Sequence, residues 1–257
     1  MERAWITIRN SKIPSSARTP EDASTRSSGI QRRISMSKIK YHPDTMTLIE
    51  FSAGVLPPAV AICVAAHVHY CDKCRNELLR LDQVASQLMK SSGSTEISVD
   101  LFKRVEEAID KAPEDAFSET SSPAPAEANF PRIVSKLMQG NLQAQSWKKM
   151  SSSVEKATLK TGQSEYEVAL HKICAGGKTP KHGHGGKEYT VVLKGSFSDE
   201  MSVYSEGDFL LREDGEEHQP TGAQNGECIC LSALQAPIKL SNPFGFLMKP
   251  WLRINPI

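Results

Sequence analysis

The chain has almost no charge bias: 31 Lys and Arg stand against 30 Asp and Glu, for a formal net charge of +1. With both signs interspersed there is no field to gather nucleic acid or anionic lipid, so direct DNA binding is not expected. Long apolar runs are also lacking. The longest, Val55 to Val68, covers about 14 residues, includes Pro57, Pro58 and His67, and falls short of the roughly 20 that a bilayer-crossing helix needs. No apolar stretch follows the basic, polar N-terminus, so neither a secretory leader nor a membrane span is expected and the protein should stay in the cytoplasm. Cysteines number only six in 257 residues, a length that builds cores without disulfide staples. In a reducing compartment, closely spaced thiols read as metal ligands or redox groups before they read as disulfides.

What is present divides into two textures. Residues 1–38 are rich in Ser, Arg and Thr without sustained apolar periodicity, and read as a disordered extension. Met36 stands just before the first structural signal and is an alternative start to Met1. From His42 the pattern is helical. Pro43 suits a first-turn position, Leu48, Ile49, Phe51 and Ala53 give an apolar face, and Gly54 can stop the helix. A second helix is expected from about Pro58 to His69. A third begins at Cys71, with Cys74, Leu78, Leu81, Ala85 and Leu88 forming a stripe to be buried. Asp100 can cap a fourth carrying Leu101, Phe102, Val105 and Ile109, with Pro113 ending it. These four helices, over residues 39–112, make a marginal core that a bound metal would stabilise. Linker composition follows over residues 113–130, around Ser121-Ser122-Pro123-Ala124-Pro125. Residues 131–257 then open with a short helix at Ile133, Leu137 and Met138. Beyond it, alternation at Tyr166, Val168 and Leu170, a β-prone run from Tyr189 to Leu193 and frequent Gly turns predict an antiparallel barrel or jelly roll.

Chemistry concentrates in two constellations. His67 and Cys71 are one helical turn apart, and Cys71-Asp72-Lys73-Cys74 lets two sulfurs converge where a helix starts, a mixed donor set that suits tetrahedral Zn²⁺. His42 is the best fourth ligand because it would tie the first helix to the other two; His69 competes, but points away from His67 on a continuous helix. The other readings are ordinary buried thiols beside an interfacial His67, and a redox Cys-x-x-Cys pair, which lacks the βαβ surroundings that usually accompany it. In the second constellation His182 and His184 alternate toward one barrel interior, Glu188 follows, and His218 can return a third imidazole. Three histidines and a carboxylate suit Zn²⁺, Fe²⁺, Mn²⁺ or Ni²⁺. Cys228 and Cys230 share one face of a strand and could lie near that metal, form an oxidisable pair, or fill space.

The first constellation resembles the zinc-binding anti-sigma domain, with His-x₃-Cys-x₂-Cys and an upstream histidine as fourth ligand; His42-Pro43-Asp44, an apolar helix and Gly54 resemble the opening of its ChrR branch. The second resembles the cupin fold through Gly176-x₅-His182-x-His184-x₃-Glu188-x₆-Gly195. The second cupin motif departs from the usual pattern, with Glu213 in place of a proline and Gly222 in place of an asparagine, while His218 is retained. Trp147, Gly207-Asp208-Phe209, Cys228-Ile229-Cys230-Leu231 and Trp251-Leu252-Arg253-Ile254 extend the likeness to about residues 40–257.

The resemblance implies a multidomain α and β protein, a four-helix zinc-binding anti-sigma domain followed by a cupin. It also implies a group IV (extracytoplasmic-function, ECF) sigma factor as partner, weak self-association at most, and release on an oxidative signal, singlet oxygen or organic hydroperoxide, sensed through the cupin with Cys228 and Cys230 as candidate redox residues. On this reading the chain is not an enzyme. The alternative is a dioxygenase-like, metal-dependent cupin enzyme with a helical appendage, in which a water at an open coordination position would carry the chemistry.

Overall fold

A computed structural model of the chain describes residues 39–94, 96, 98–111, 130–139, 142, 145–240 and 256. The expected N-terminal extension, Met36, most of the linker and the closing Trp251 to Ile254 lie outside them.

Four helices come first. Helix α1 (Thr45–Ser52) starts at Asp44, whose side chain accepts a hydrogen bond from Thr47 N. Pro43 therefore stands just before the cap and not in the first turn, because Asp44 satisfies a donor that proline would have left without need of one. The chain leaves α1 through Gly54 at φ +71°. Helix α2 (Pro58–Tyr70) opens on proline, as a first helical position allows. Helix α3 (Asp72–Ser91) uses the Cys71 sulfur as its cap. Helix α4 (Val99–Asp110) is capped by Ser98, which accepts from Leu101 N, and Asp100 sits in its first turn. Serine provides the cap here, leaving Asp100 as a favourable charge near the helix start.

The stripe on α3 is buried only at its beginning. Cys74 is enclosed and Leu78 and Leu81 are partly covered, but Leu88 is 65% exposed, because α1, with which α3 packs, is much the shorter helix. Helix α4 buries no residue at all.

Helix α5 (Arg132–Leu137) leads into twelve strands: β1 (Lys148–Lys149), β2 (Val154–Thr158), β3 (Glu167–Ile173), β4 (His182–Gly183), β5 (Glu188–Lys194), β6 (Ser196–Ser198), β7 (Val203–Ser205), β8 (Phe209–Arg212), β9 (Glu217–His218), β10 (Thr221–Gly222), β11 (Cys228–Leu234) and β12 (Lys239–Leu240). They form an antiparallel six-stranded sheet in the order β1-β2-β3-β11-β5-β8 and two three-stranded sheets, β10-β6-β7 and β12-β4-β9. This is a helical bundle followed by a cupin β-sheet domain.

The two faces of the large sheet bury different things. Val168, Leu170, Val191, Leu193, Ile229, Leu231 and Phe209 share a core with α2 through Ala59, Val60, Cys63, Val64 and Ala66. Because side chains alternate along a strand, the opposite parity faces inward, with Ile173, Val192, Leu210, Cys228 and Cys230 in a second cluster. Helix α2 thus has protein on several sides, packing on α1, α3 and α5 as well as on β5, β8 and β11. Helices and sheet form one compact unit.

Candidate metal centres

The first cluster gathers at the α2–α3 junction. The Cys71 amide donates back to the His67 carbonyl (3.0 Å), and the Cys71 sulfur accepts from Cys74 N (3.4 Å), so the turn that ends one helix and starts the next also aims both thiols. His67 Nε2 lies 3.3 Å from Cys74 Sγ, and His42 Nδ1 lies 3.3 Å from Cys71 Sγ and 3.5 Å from Cys74 Sγ. Ligand bonds of 2.0–2.3 Å arranged tetrahedrally require donor separations of about 3.5 Å, so the set fits a small divalent ion. His69 is exposed against the Tyr70 ring and stands outside the cluster.

Burial pulls the fully enclosed His67 down to about 4 despite the Gly207 carbonyl beside it, and lowers His42, with Lys73 adding to the effect. Burial, then the Cys71 neighbour, pushes the Cys74 thiol up to about 12. A bound cation would reverse that preference, since a coordinating thiol is deprotonated.

The cupin turn between β7 and β8 holds two of these ligands in place. Gly207 O lies 2.7 Å from His67 Nδ1, which places the proton on Nδ1 and leaves Nε2 free as a donor atom. Asp208 Oδ1 accepts from Lys40 N (2.8 Å) and Tyr41 N (3.0 Å), its Oδ2 accepts from Ser205 N (2.8 Å), and Phe209 N donates to Tyr41 O (3.0 Å). The extended segment carrying His42 is thereby laid against the sheet. Gly207 is required here twice over: its φ is +89°, and a Cβ would come within 2.7 Å of Ile39 Cδ1 and 2.9 Å of Tyr70 Cβ.

The second cluster forms where β4 pairs with β9, with His182 opposite His218. Their Nε2 atoms are 3.1 Å apart. His182 Nδ1 lies 2.9 Å from Pro180 O and His218 Nδ1 3.3 Å from Asp199 Oδ2. With both Nδ1 protons so engaged, two Nε2 lone pairs face each other, an arrangement that a cation between them relieves. His184 is fully buried, its ring nitrogens have no hydrogen-bond partner, and its Nδ1 lies 3.1 Å from Glu188 Oε2 without hydrogen-bond geometry. An orphaned imidazole of this kind is costly unless it ligates. Burial and neighbouring histidines lower His184 to about 3; burial and His182 lower His218 to about 4; burial raises Glu188. Asp199 is pushed up by burial, but hydrogen bonds from Arg212, Met201 N, Ser202 N and His218 outweigh this and lower it to about 2.

The structure thus brings together His42, His67, Cys71 and Cys74 in one set and His182, His184, Glu188 and His218 in another. Cys228 and Cys230 are buried with sulfurs 3.7 Å apart, both free thiols, and Cys230 faces the same cavity as His182, Glu188 and His218. The hydrogen bond with Cys228, then burial, raises the Cys230 thiol well above its ordinary value.

Sequence reasoning missed the supporting residues. A contiguous path links the sets: the Tyr41 and Tyr204 rings are 5.0 Å apart, Tyr204 Oη donates to Asp199 Oδ1 (3.1 Å), and Asp199 touches His218. Gly207-Asp208 is visible as a turn, but nothing in its spacing announces its contacts with His67 and the His42 segment.

Residues 136–237 match the family described as the ChrR Cupin-like domain. The anti-sigma-E factor ChrR of Cereibacter sphaeroides is 32% identical over 219 residues, covering 84% of this chain and 99% of that protein. The crystal structure of Rhodobacter sphaeroides SigE in complex with the anti-sigma ChrR aligns with a TM-score of 0.64 at 30% identity, over 76% of this chain and 99% of that one. No helix among the described residues is long and apolar enough to cross a membrane.

Proposed function

The chain belongs to the ChrR family of anti-sigma factors, and we propose that it holds a group IV (ECF) sigma factor through residues 39–112 and lets it go when an oxidative signal reaches the cupin, residues 131–257. The chain is thus an anti-sigma factor rather than an enzyme, and its work is done in the cytoplasm. Zn²⁺ is held by His42, His67, Cys71 and Cys74, a closed donor set with no place for substrate. His182, His184, Glu188 and His218 hold a second divalent ion, Zn²⁺, Fe²⁺, Mn²⁺ or Ni²⁺, which supplies Lewis acidity inside the barrel.

The observation that carries the reading is a set of apolar helix surfaces that no other described residue covers. Val99, Leu101, Phe102, Val105 and Ile109 on α4 are all exposed, as are Leu79, Val84, Leu88 and Met89 on α3. A short amphipathic helix standing alone is marginal in water, and exposed apolar surface of this extent belongs at an interface. Each of these side chains contributes about 1.5–3 kcal/mol when a partner covers it fully.

Release requires that signalled and unsignalled forms differ in affinity for the partner. Cys228 and Cys230 are candidate sensors. Both are buried, and Cys230, whose thiol the Cys228 hydrogen bond and burial hold protonated, is a poor nucleophile toward bulk oxidant, so the pair answers to a signal that enters the barrel. The test is co-expression with ECF sigma factors and co-purification. Changing Cys71 or Cys74 to Ser should abolish capture; His182→Ala should retain capture and lose release by organic hydroperoxide. Capture that survives loss of both thiols would overturn the reading.

A further inference from the structure

The inward face of the large sheet lines a cavity of about 160 Å³ that is open on one side. His182, Glu188 and His218 line it together with an apolar wall that includes Val154, Ile173, Phe197 and Leu234. Its volume is that of a cavity able to take a benzene-sized molecule, roughly 150 Å³.

Two polar side chains on its lining are placed to bond a ligand: Thr179 Oγ1, which has no hydrogen-bond partner among the described residues, and His171. His171, on β3 between Lys156 and Cys230 in the register, opens onto the cavity and makes no hydrogen bond among the described residues. Burial, then Lys156 and His182, lowers His171 to about 3, so the ring is neutral and can donate from one nitrogen while accepting at the other.

The charge of the chamber is also specific. Lys156 pairs with Glu167 at 2.8 Å and Arg212 with Asp199 at 2.7 Å, so both buried pairs cancel. His182, His184 and His218 contribute no charge in the neutral form that ligates, and Glu188 contributes one negative charge. A divalent ion in that cluster leaves one uncompensated positive charge facing an apolar chamber. Such a charge is costly unless an anion meets it.

We infer that the cupin cavity is a binding site for a small monoanionic oxygen ligand on an apolar body of about benzene size. The anionic oxygen faces the His182, His184, Glu188 and His218 cluster, and His171 and Thr179 hydrogen-bond its remaining polar atoms. This deepens the proposed function, resting on the cupin cluster holding a divalent ion, and names the chemistry that the sensing chamber admits.

The experiment uses the full chain, its metal content measured first, with benzoate as the probe in isothermal titration calorimetry. Saturable one-to-one binding is expected with metal loaded and none after the metal is removed, and benzamide, neutral and of the same size, should bind at least tenfold more weakly. His171→Leu should weaken benzoate about tenfold, the scale of one hydrogen bond, while His171→Gln, which keeps a donor and an acceptor, stays within about threefold. Circular dichroism and metal content confirm that each variant is folded and loaded. A chain that retains no second metal refutes the metal reading on which this rests. A loaded chain that ignores benzoate at millimolar concentration, binds benzamide equally, or is indifferent to His171→Leu overturns the ligand inference.

Discussion

Replacing Asp208 with Ala should weaken the thiolate metal centre although Asp208 touches none of its four donors. Its carboxylate, almost wholly buried, accepts from Lys40 N, Tyr41 N and Ser205 N at 2.8–3.0 Å. Hydrogen bonds to a charged acceptor contribute about 1.5–3 kcal/mol each, and two of the three hold the segment that delivers His42. Allowing for non-additivity between neighbours, about 3 kcal/mol of docking is lost, or roughly a hundredfold in the equilibrium that presents His42 to the cluster. Asp208→Asn keeps one acceptor oxygen and should lose about half of that free energy. The assay is cobalt substitution: the sulfur-to-cobalt charge-transfer band belongs to Cys71 and Cys74 alone, so its titration against a competing chelator reports this centre without interference from the cupin cluster. An apparent affinity within threefold of the parent protein, with the sheet intact by circular dichroism, would refute the reasoning.

Further outcomes follow from the same geometry. His42→Ala should lower zinc affinity at the thiolate centre by at least tenfold in the same titration, whereas His69→Ala should leave it unchanged, because His42, unlike His69, is brought within ligand distance of the sulfurs. Folding of the metal-free chain should become less favourable as pH falls from 6.5 toward 3. A neutral, partly buried His171, lowered to about 3, takes up its proton only on unfolding, so the unfolded state binds more protons through that window. His171→Gln should flatten the slope of stability against pH by up to about 1.4 kcal/mol per unit, measured by urea unfolding at several pH values. Phe102→Ser together with Ile109→Ser on α4 should change thermal stability little, since both are exposed, yet reduce sigma capture at least tenfold. Equal loss of stability and capture would place these side chains in the chain's own core.

The two donor clusters are legible because metal chemistry imposes short-range rules, and the structure gathers each of them. His67-x₃-Cys71-x₂-Cys74 and His182-x-His184-x₃-Glu188 fit a helix junction and a strand approach before any fold is known. Long-range positions of His42 and His218 were readable only through the need for a fourth donor. Cap identity was less secure. Ser98 and Asp100 are both competent caps two residues apart, and the chain uses the first. The α3 stripe predicts burial along its whole length, because periodicity says which residues share a face but not whether that face has a neighbour. Helix α2 carried a clue of the opposite kind: a run apolar on every side, from Val60 to Val68, is the mark of a helix enclosed by protein. His171 could have been found by parity, since Val168 and Leu170 face the helices and the intervening positions must look the other way. What no local pattern could disclose is Asp208, whose partners lie 167 and 168 residues upstream.

The Gly207–Asp208 turn also limits how this architecture can be recombined. A chimera that gives the helical bundle a foreign sensory domain would lose the carbonyl that orients His67 and the carboxylate that seats the His42 segment, even if every ligand were kept. Sensors are exchangeable on this bundle only when the incoming domain brings a glycine–aspartate corner at the same spot. Substitutions on either side of that corner are therefore constrained to drift together.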